Sequence, residues 1–220
     1  MTRGIFFAGN ESALGRAIEA EILKRVEQFT AAFIPNRFSE VAKDPESGNE
    51  KRVVLEWNPS SPISARALVL AAENRLEHID EAILVCSPPS VRSSPSVLSF
   101  SSVDIMTNDH IKGWFFLVKE LTAIFKNRGR GTLALVYPDA SPGKDESANF
   151  LGPSALASFR AFTQGLLASA VNEPYITAGF SNTDNGNETA FASFIFKTID
   201  EISKRSNGKL HKFGRFSFFK

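Results

Sequence analysis

The hydrophobic and polar positions of this chain alternate between short apolar runs and longer segments of helical periodicity. Ile5–Ala8 is a short apolar run, and after Ser12 apolar residues return every three or four positions up to Val26, which predicts a strand followed by a helix. Further strands are predicted where short apolar or β-branched runs lie between turn-forming residues. These runs are Ala31–Ile34, Arg52–Trp57, Ala82–Cys86, Thr132–Tyr137, Tyr175–Ala178 and Lys209–Phe213.

Helical periodicity fills most of the intervals between these runs, and it predicts one helix after most of the strands. The later predicted helices are Ile63–Leu76, Asp104–Asn127, Pro153–Val171 and Thr189–Ser203. Ala82–Cys86 is apolar throughout, which is typical of a parallel strand covered on both faces. The alternation predicts an α/β fold over residues 1–220: a single domain with a Rossmann-type, doubly wound parallel sheet flanked by helices.

Composition narrows the classes of partner. Lys and Arg number 25 against 24 Asp and Glu, so no charge excess favours nucleic acid. No apolar run reaches the ~18–20 residues that a membrane span requires, and residues 1–9 have no signal-peptide pattern. We therefore expect a cytoplasmic protein with no nucleic-acid and no membrane partner.

The metal-ligating residues are few and scattered. Cys86 is the only cysteine, which excludes an internal disulfide and a cysteine-rich metal site. The three histidines, His78, His110 and His211, form no ligand pattern, so we expect no metal site. Because Cys86 ends an apolar strand, we expect a buried, unreactive thiol.

The turn after the first strand is a candidate phosphate-binding loop. Such a loop needs backbone N–H groups at a helix N-terminus and small residues that let a pyrophosphate approach. Gly9, Ala13 and Gly15 are small, whereas the charge of Glu11 opposes an anion. A helix entry that needs small residues only for packing is the alternative. The candidate cofactor contacts are Gly9, Asn10, Ser12, Ala13, Leu14, Gly15, Arg37 and Asn58.

Two of these contacts come shortly after later strands. Arg37 follows the second strand, where an arginine can meet the 2′-phosphate of NADP; an exposed loop arginine is the alternative interpretation. Asn58 follows the third strand.

Taken in order, several segments resemble the short-chain dehydrogenase/reductase family along nearly the whole chain. Gly9–Gly15 is similar to its Thr-Gly-x-x-x-Gly-x-Gly turn, with Ala13 for the middle glycine. Further similar segments are Ala82–Pro89, His110–Phe115, Arg128–Val136 and Phe159–Leu166. In this comparison Asn58 stands where the family has an acidic adenine contact. The resemblance implies a Rossmann fold, NAD or NADP as cofactor, and a small carbonyl or alcohol substrate.

The chain departs from the family at the catalytic positions. Gly152 stands where the family has its tyrosine and Leu156 where it has its lysine, while His110 and Pro138 replace the asparagine and the serine. Hydride transfer in the family uses a tyrosine whose pKa a lysine lowers, and Gly152 and Leu156 cannot do this. Tyr137, with His110 as its partner, is the replacement candidate, since it ends the fifth strand. A strand terminus whose hydroxyl bonds locally is the alternative for Tyr137.

Asp104–Asn127 and Pro153–Val171 carry more apolar residues than one buried face requires. In the family these two helices form the dimer interface, so the resemblance implies a homodimer. The phenylalanine-rich tail Phe213–Phe219 would be costly if left exposed, which predicts either docking on the core or a further subunit contact. A subunit contact through the tail would extend the expected dimer to a tetramer.

Two functions of different classes follow. The first is a short-chain dehydrogenase-like protein that has lost standard hydride transfer and serves as a binding or partner subunit. The alternative is an atypical NAD(P)(H)-dependent oxidoreductase that acts on a small carbonyl or alcohol through Tyr137 or His110. A different reaction in the same crevice is a third hypothesis; the sequence has no Gly-x-Ser-x-Gly motif and no Walker-type loop.

Overall fold

The residues that the structure describes form a central sheet of seven parallel strands. The computed structural model describes residues 3–9, 11–25, 29–33, 52–139, 149–184, 186–202 and 206–214. The strands are β1 (Ile5–Ala8), β2 (Phe29–Phe33), β3 (Arg52–Glu56), β4 (Glu81–Val85), β5 (Thr132–Pro138), β6 (Ile176–Asn182) and β7 (Lys209–Phe213). They lie side by side in the order β3-β2-β1-β4-β5-β6-β7. The predicted doubly wound parallel sheet is confirmed.

Helices cover both faces of the sheet. They are α1 (Ala13–Leu23), α2 (Pro62–Arg75), α3 (Phe100–Thr107), α4 (Gly113–Arg128), α5 (Leu151–Ser169) and α6 (Glu188–Glu201). One face of the sheet packs against α2, α4 and α5, and we call it the α5 face. The other packs against α1 and α6, and we call it the α6 face. No helix in the described part of the chain is long and apolar enough to cross a membrane.

Alternating strand residues supply the two halves of the core. Phe6 of β1 and Leu84 of β4 point to the α5 face, and Phe7 and Ile83 point to the α6 face. All four are fully buried. A strand that is buried on both faces needs apolar residues at every position, which explains the continuous apolar runs in the sequence.

The sixth strand is longer than its sequence pattern predicts. The pattern predicts Tyr175–Ala178, whereas β6 runs over Ile176–Asn182. Its polar second half pairs with both neighbours: Ser181 lies opposite Tyr137 of β5 and Lys212 of β7. Pairing on two sides keeps a polar segment extended that by composition alone looks like a loop.

The two predicted interface helices also differ from their predicted bounds. Asp104–Asn127 was predicted as one helix, but the helical segment begins at Phe100 and changes to a π-helical turn at Asn108–Lys112, between α3 and α4. An extra residue in one turn leaves the apolar pattern nearly unchanged, which is why the sequence does not reveal it. The second helix begins at Leu151 and ends at Ser169, where a short 3₁₀ turn follows, rather than spanning Pro153–Val171.

An ion-pair network joins α1, α6 and the amino ends of β1 and β4. Arg3 Nε lies 2.5 Å from Glu81 Oε1, and Arg3 Nη1 lies 2.8 Å from Asp200 Oδ1. Arg25 Nη1 reaches the other oxygen of Asp200 at 2.7 Å. The Asp200 carboxylate therefore bridges two arginines from different parts of the chain.

This bridge predicts acid sensitivity. Burial opposes the ionised form of Asp200, but hydrogen bonds from Arg3 and Arg25 outweigh it and hold the pKa of Asp200 below its ordinary value of 3.8. A lowered carboxyl pKa stabilises the fold above that value, and the stabilisation is lost as the pH falls through the folded-state pKa. We expect Asp200→Asn to cost less than about 1 kcal/mol at neutral pH, because the pair is partly exposed.

The measurement is the free energy of urea unfolding at neutral pH and near pH 3. The gap between Asp200→Asn and the wild-type protein should shrink at the lower pH. Glu201→Gln changes the next, exposed residue of α6 and is the control. A gap that stays constant with pH would show that the bridge carries none of the acid sensitivity.

Candidate functional site

The order of the strands reverses between β1 and β4. From β1 the chain enters α1 on the α6 face, whereas after β4 it reaches α4 on the α5 face. In open α/β sheets such diverging connections leave a crevice at the carboxyl ends of the strands, and this is where ligands bind. Ligand-binding residues of this fold are therefore expected around this edge of the sheet.

Ser12 begins α1 at the crevice. Its Oγ accepts a hydrogen bond from the N–H of Gly15 at 2.9 Å, and its carbonyl oxygen accepts from the N–H of Arg16 at 2.9 Å. Ala13 is the exposed first residue of the helix, while Leu14 and Gly15 are buried. The predicted strand–turn–helix is thus present. Asn10, another candidate contact, lies outside the described residues.

Gly9 is required by the packing of the sheet. Its φ is +105°, and a Cβ on this residue would lie 2.1 Å from the carbonyl oxygen of Val85. The end of β1 therefore approaches β4 too closely for any other side chain. This first glycine of the turn would be needed even if nothing bound in the crevice.

The turn fits the pyrophosphate of a dinucleotide in part. The first N–H groups of a helix have no partner inside that helix, so the backbone at Ser12, Ala13 and Leu14 would hold phosphate oxygens, and the small Ala13 side chain leaves room. The neighbouring Glu11 carboxylate opposes an anion. Arg37, proposed for a 2′-phosphate, lies outside the described residues.

Asn58 has a local structural role at the end of β3. Its Oδ1 accepts hydrogen bonds from the N–H of Ser60 at 3.0 Å and from the hydroxyl of Ser60 at 2.7 Å. Its own N–H donates to Ser64 Oγ at 2.8 Å. Asn58 therefore closes the turn that leads into α2, and only its amide N–H₂ group remains for the adenine contact that the sequence suggested.

His110 lies in the π-helical turn and is only 7% exposed. Burial lowers the pKa of its imidazole to about 4. At neutral pH the ring is therefore uncharged, and it would meet a ligand as a neutral group rather than as a cation. π-Helical turns are frequent at functional sites, and this turn packs against α5.

Tyr137 is at the carboxyl end of β5 and is deeply buried, with 1% exposure. The ring of Phe159 meets it edge-on at 6.3 Å, and the guanidinium carbon of Arg160 lies 5.7 Å from its centroid. Burial raises the pKa of the Tyr137 phenol, the charge of Asp139 raises it further, and Arg160 opposes both. The pKa thus shifts upwards, whereas proton donation as in the family needs a lowered phenol pKa.

The first turn of α5 has no room for a catalytic side chain. Gly152 is buried, and a Cβ there would lie 2.9 Å from the carbonyl oxygen of Pro89. Leu156, one turn later, is partly buried and packs against the core of the α5 face. The two positions that the sequence comparison assigned to the tyrosine and the lysine are occupied by packing residues.

Cys86 directly follows β4 and is fully buried. Burial raises the pKa of its thiol above the ordinary range, so that the nucleophilic thiolate does not form near neutral pH. The prediction that Cys86 is buried is confirmed, and the raised pKa agrees with an unreactive thiol. Within the described residues, no group of three or more His, Cys, Asp or Glu side chains is arranged to hold a metal ion.

Sequence reasoning missed the polar group around Tyr137. Arg160 of α5 forms an ion pair with Asp139, which follows β5 directly. The two residues lie on different elements, so no local spacing indicates the pair. Ser181 of β6 is a third missed residue: it lies opposite Tyr137, beyond the end of the predicted strand Tyr175–Ala178.

No family model matches the chain. An uncharacterized protein of Treponema pallidum (strain Nichols) is 33% identical over 88 residues, a match that covers 40% of this chain and 40% of that protein. The match therefore spans less than half of that relative.

Among solved structures, the NADH-dependent reductase A1-R′ in complex with NAD aligns with a TM-score of 0.71 at 13% identity, over 96% of this chain and 95% of that chain. A short-chain dehydrogenase from Mycobacterium smegmatis gives 0.71 at 11% identity, over 96% and 91%. A double mutant of the Serratia marcescens short-chain dehydrogenase/reductase gives 0.70 at 10% identity, over 96% and 95%. The chain has the fold of short-chain dehydrogenases/reductases.

Proposed function

We propose that this chain is a short-chain dehydrogenase-like protein that binds a ligand in its crevice without standard hydride transfer and acts as a binding or partner subunit. The observation that carries the proposal concerns tyrosine. The chain has only two tyrosines. Tyr137 is buried with a raised pKa, and Tyr175 lies just before β6, at the opposite edge of the sheet. Neither matches the lowered-pKa phenol that carbonyl reduction in this fold requires.

We propose NAD or NADP as the crevice ligand. The support is the exposed N-terminus of α1 at the switch point of the sheet, together with a solved neighbour of the same fold that holds NAD. When bound, the nicotinamide would supply a hydride acceptor or donor. The residues of this chain would hold and orient the dinucleotide: the backbone at Ser12, Ala13 and Leu14 at the pyrophosphate, and the Asn58 amide group at the adenine side.

A charge introduced at the turn tests this ligand. Ala13→Glu puts a carboxylate at an exposed first-turn position, where it repels a pyrophosphate but leaves the packing of α1 intact. We expect the Kd for NADH and for NADPH to rise at least about tenfold, which corresponds to ~1.4 kcal/mol. The measurement is nicotinamide fluorescence combined with thermal shift.

Ile63→Glu is the matched control, because Ile63 is 79% exposed in the first turn of α2. Both variants add one negative charge near a helix N-terminus, so any general effect on stability is shared. If neither cofactor binds the wild-type protein at millimolar concentration, the nucleotide part of the proposal is wrong. Equal binding to both variants would place the nucleotide elsewhere.

A second copy of the chain is the partner we propose. The outer positions of α5 carry small, exposed residues: Ala157, Ala161, Gly165 and Ala168. A Cβ on Gly165 would meet nothing within 4 Å, so this chain itself does not require a glycine there. Next to this surface Phe115 of α4 is 43% exposed, and the centroid of its ring lies 4.1 Å from the ring centroid of Phe162. Small residues with a partly exposed aromatic pair suit close packing of helices across a twofold axis.

An atypical oxidoreductase is the second candidate, and Arg160 favours it. The cation beside the Tyr137 ring is the one contribution that lowers the pKa of this phenol. If a screen of carbonyl substrates with NADH or NADPH detects turnover, Tyr137→Phe should reduce kcat at least about 100-fold when the phenol is the proton donor, since general acid catalysis contributes ~10²–10⁴. Unchanged turnover would exclude Tyr137 and leave neutral His110 as the donor to test.

A further inference from the structure

Ser181 has a buried hydroxyl group without a hydrogen-bond partner. Side chains along β6 alternate between the two faces of the sheet. Ala178 and Phe180 belong to the core of the α6 face, so Gly179 and Ser181 face the α5 side. A Cβ on Gly179 would indeed lie near Leu167 of α5. Tyr137, opposite in the register, points the same way. Ser181 is fully buried, and its Oγ forms no hydrogen bond.

Arg160 presents a second unpartnered donor at the same place. One end of its guanidinium group pairs with Asp139, and the group lies over the ring of Tyr137. Its Nε is buried and has no hydrogen-bond partner. Unpartnered donors therefore lie above and beside the same tyrosine ring, at the carboxyl ends of β5 and β6.

Such a pair of donors is unusual in a folded protein. Leaving a buried donor unsatisfied costs roughly 1–3 kcal/mol, and most buried polar groups have a partner. We propose that a small carboxylate binds between Arg160 and Ser181. One of its oxygens accepts from the Nε–H of Arg160 and the other from the hydroxyl of Ser181, with Tyr137 beside them.

The charges at this place favour a singly charged carboxylate. Arginine N–H groups form their strongest hydrogen bonds with carboxylates and phosphates. Lys212 of β7 lies opposite Ser181 in the register and adds a second positive charge. The Asp139 carboxylate offsets part of this charge, which makes the place less favourable for a doubly charged phosphate.

This carboxylate site goes beyond the proposed function. It lies on β5, β6 and α5, whereas the nucleotide turn lies at the start of α1. A variant at the turn, Ala13→Glu, should leave carboxylate binding unchanged, so the two proposals fail separately.

The test uses the purified full chain with acetate, propionate and benzoate, each compared with its amide. Binding is followed by calorimetry and thermal shift. Ser181→Ala removes the unpartnered hydroxyl, and Thr30→Val is the matched control, because Thr30 of β2 is also fully buried with an unpartnered hydroxyl. Neither variant loses a hydrogen bond within the protein, so both should fold.

We expect at least one carboxylate to bind the wild-type protein and Thr30→Val equally, and to bind Ser181→Ala at least about tenfold more weakly, or ~1.4 kcal/mol. Arg160→Lys keeps the charge but loses the Nε–H, and should also bind more weakly. Absence of binding to the wild-type protein would overturn the proposal. Equal binding of the amides would overturn the carboxylate assignment, and undiminished binding to Ser181→Ala would overturn the site.

Discussion

Gly9→Ala is expected to destabilise the fold by about 3 kcal/mol or more, the sum of overpacking and a left-handed backbone. The added Cβ would lie 2.1 Å from the carbonyl oxygen of Val85, and the φ of +105° is unfavourable for alanine. Because β1 and β4 are adjacent central strands, neither can move away without disturbing the pairing with β2 and β5. Urea unfolding followed by circular dichroism measures the loss.

Gly129→Ala is the matched control for this variant. Gly129 has a φ of +68°, and a Cβ there would meet nothing within 4 Å. It therefore reports the backbone cost alone, about 1 kcal/mol. Equal losses for the two variants would mean that the contact with Val85 relaxes freely, and that the glycine at position 9 is not required by the sheet.

Phe115→Glu is expected to convert the proposed dimer into monomers. In a twofold interface each substitution appears twice, so two carboxylates would replace two partly buried aromatic rings. We expect the dimer dissociation constant to rise at least about 100-fold, equivalent to ~2.7 kcal/mol. Stability of the monomer should change little, since Phe115 is already 43% exposed. Sedimentation equilibrium measures the association.

Ile63→Glu again provides the control, since it removes a more exposed apolar side chain on α2. It should leave the association unchanged. A wild-type protein that sediments as a monomer at all concentrations would remove the partner proposal. A Phe115→Glu protein that remains dimeric would move the interface to another surface.

The sheet could be predicted from the sequence because its central strands are buried on both faces. Runs such as Ile5–Ala8 and Ala82–Cys86 have no polar residue that would suggest another structure. β6 was predicted too short, because the polar Ser181 and Asn182 are kept extended by β5 and β7, which are distant in sequence. Local patterns contain no information about such pairing.

The candidate site was predictable in outline. The sequence pattern placed Tyr137 at the end of a strand and Cys86 in a buried position. Both placements agree with the structure. The sequence did not show that Arg160 would reach Asp139 and lie over the Tyr137 ring, because these contacts join different elements. It also assigned Gly9 only to phosphate binding or helix packing, whereas the contact with Val85 lies across the sheet.

The buried thiol next to β4 can be used to measure opening motions of the core. Cys86 is the only thiol of the chain and has no exposed surface. A thiol reagent can therefore react only when the core around the central strand opens, so the labelling rate follows the population of open molecules. This labelling rate would rank the stabilities of the variants at Gly9, Gly129 and Asp200 under native conditions, without any introduced probe. Denaturant titrations reach those conditions only by extrapolating the free energy of unfolding to zero denaturant.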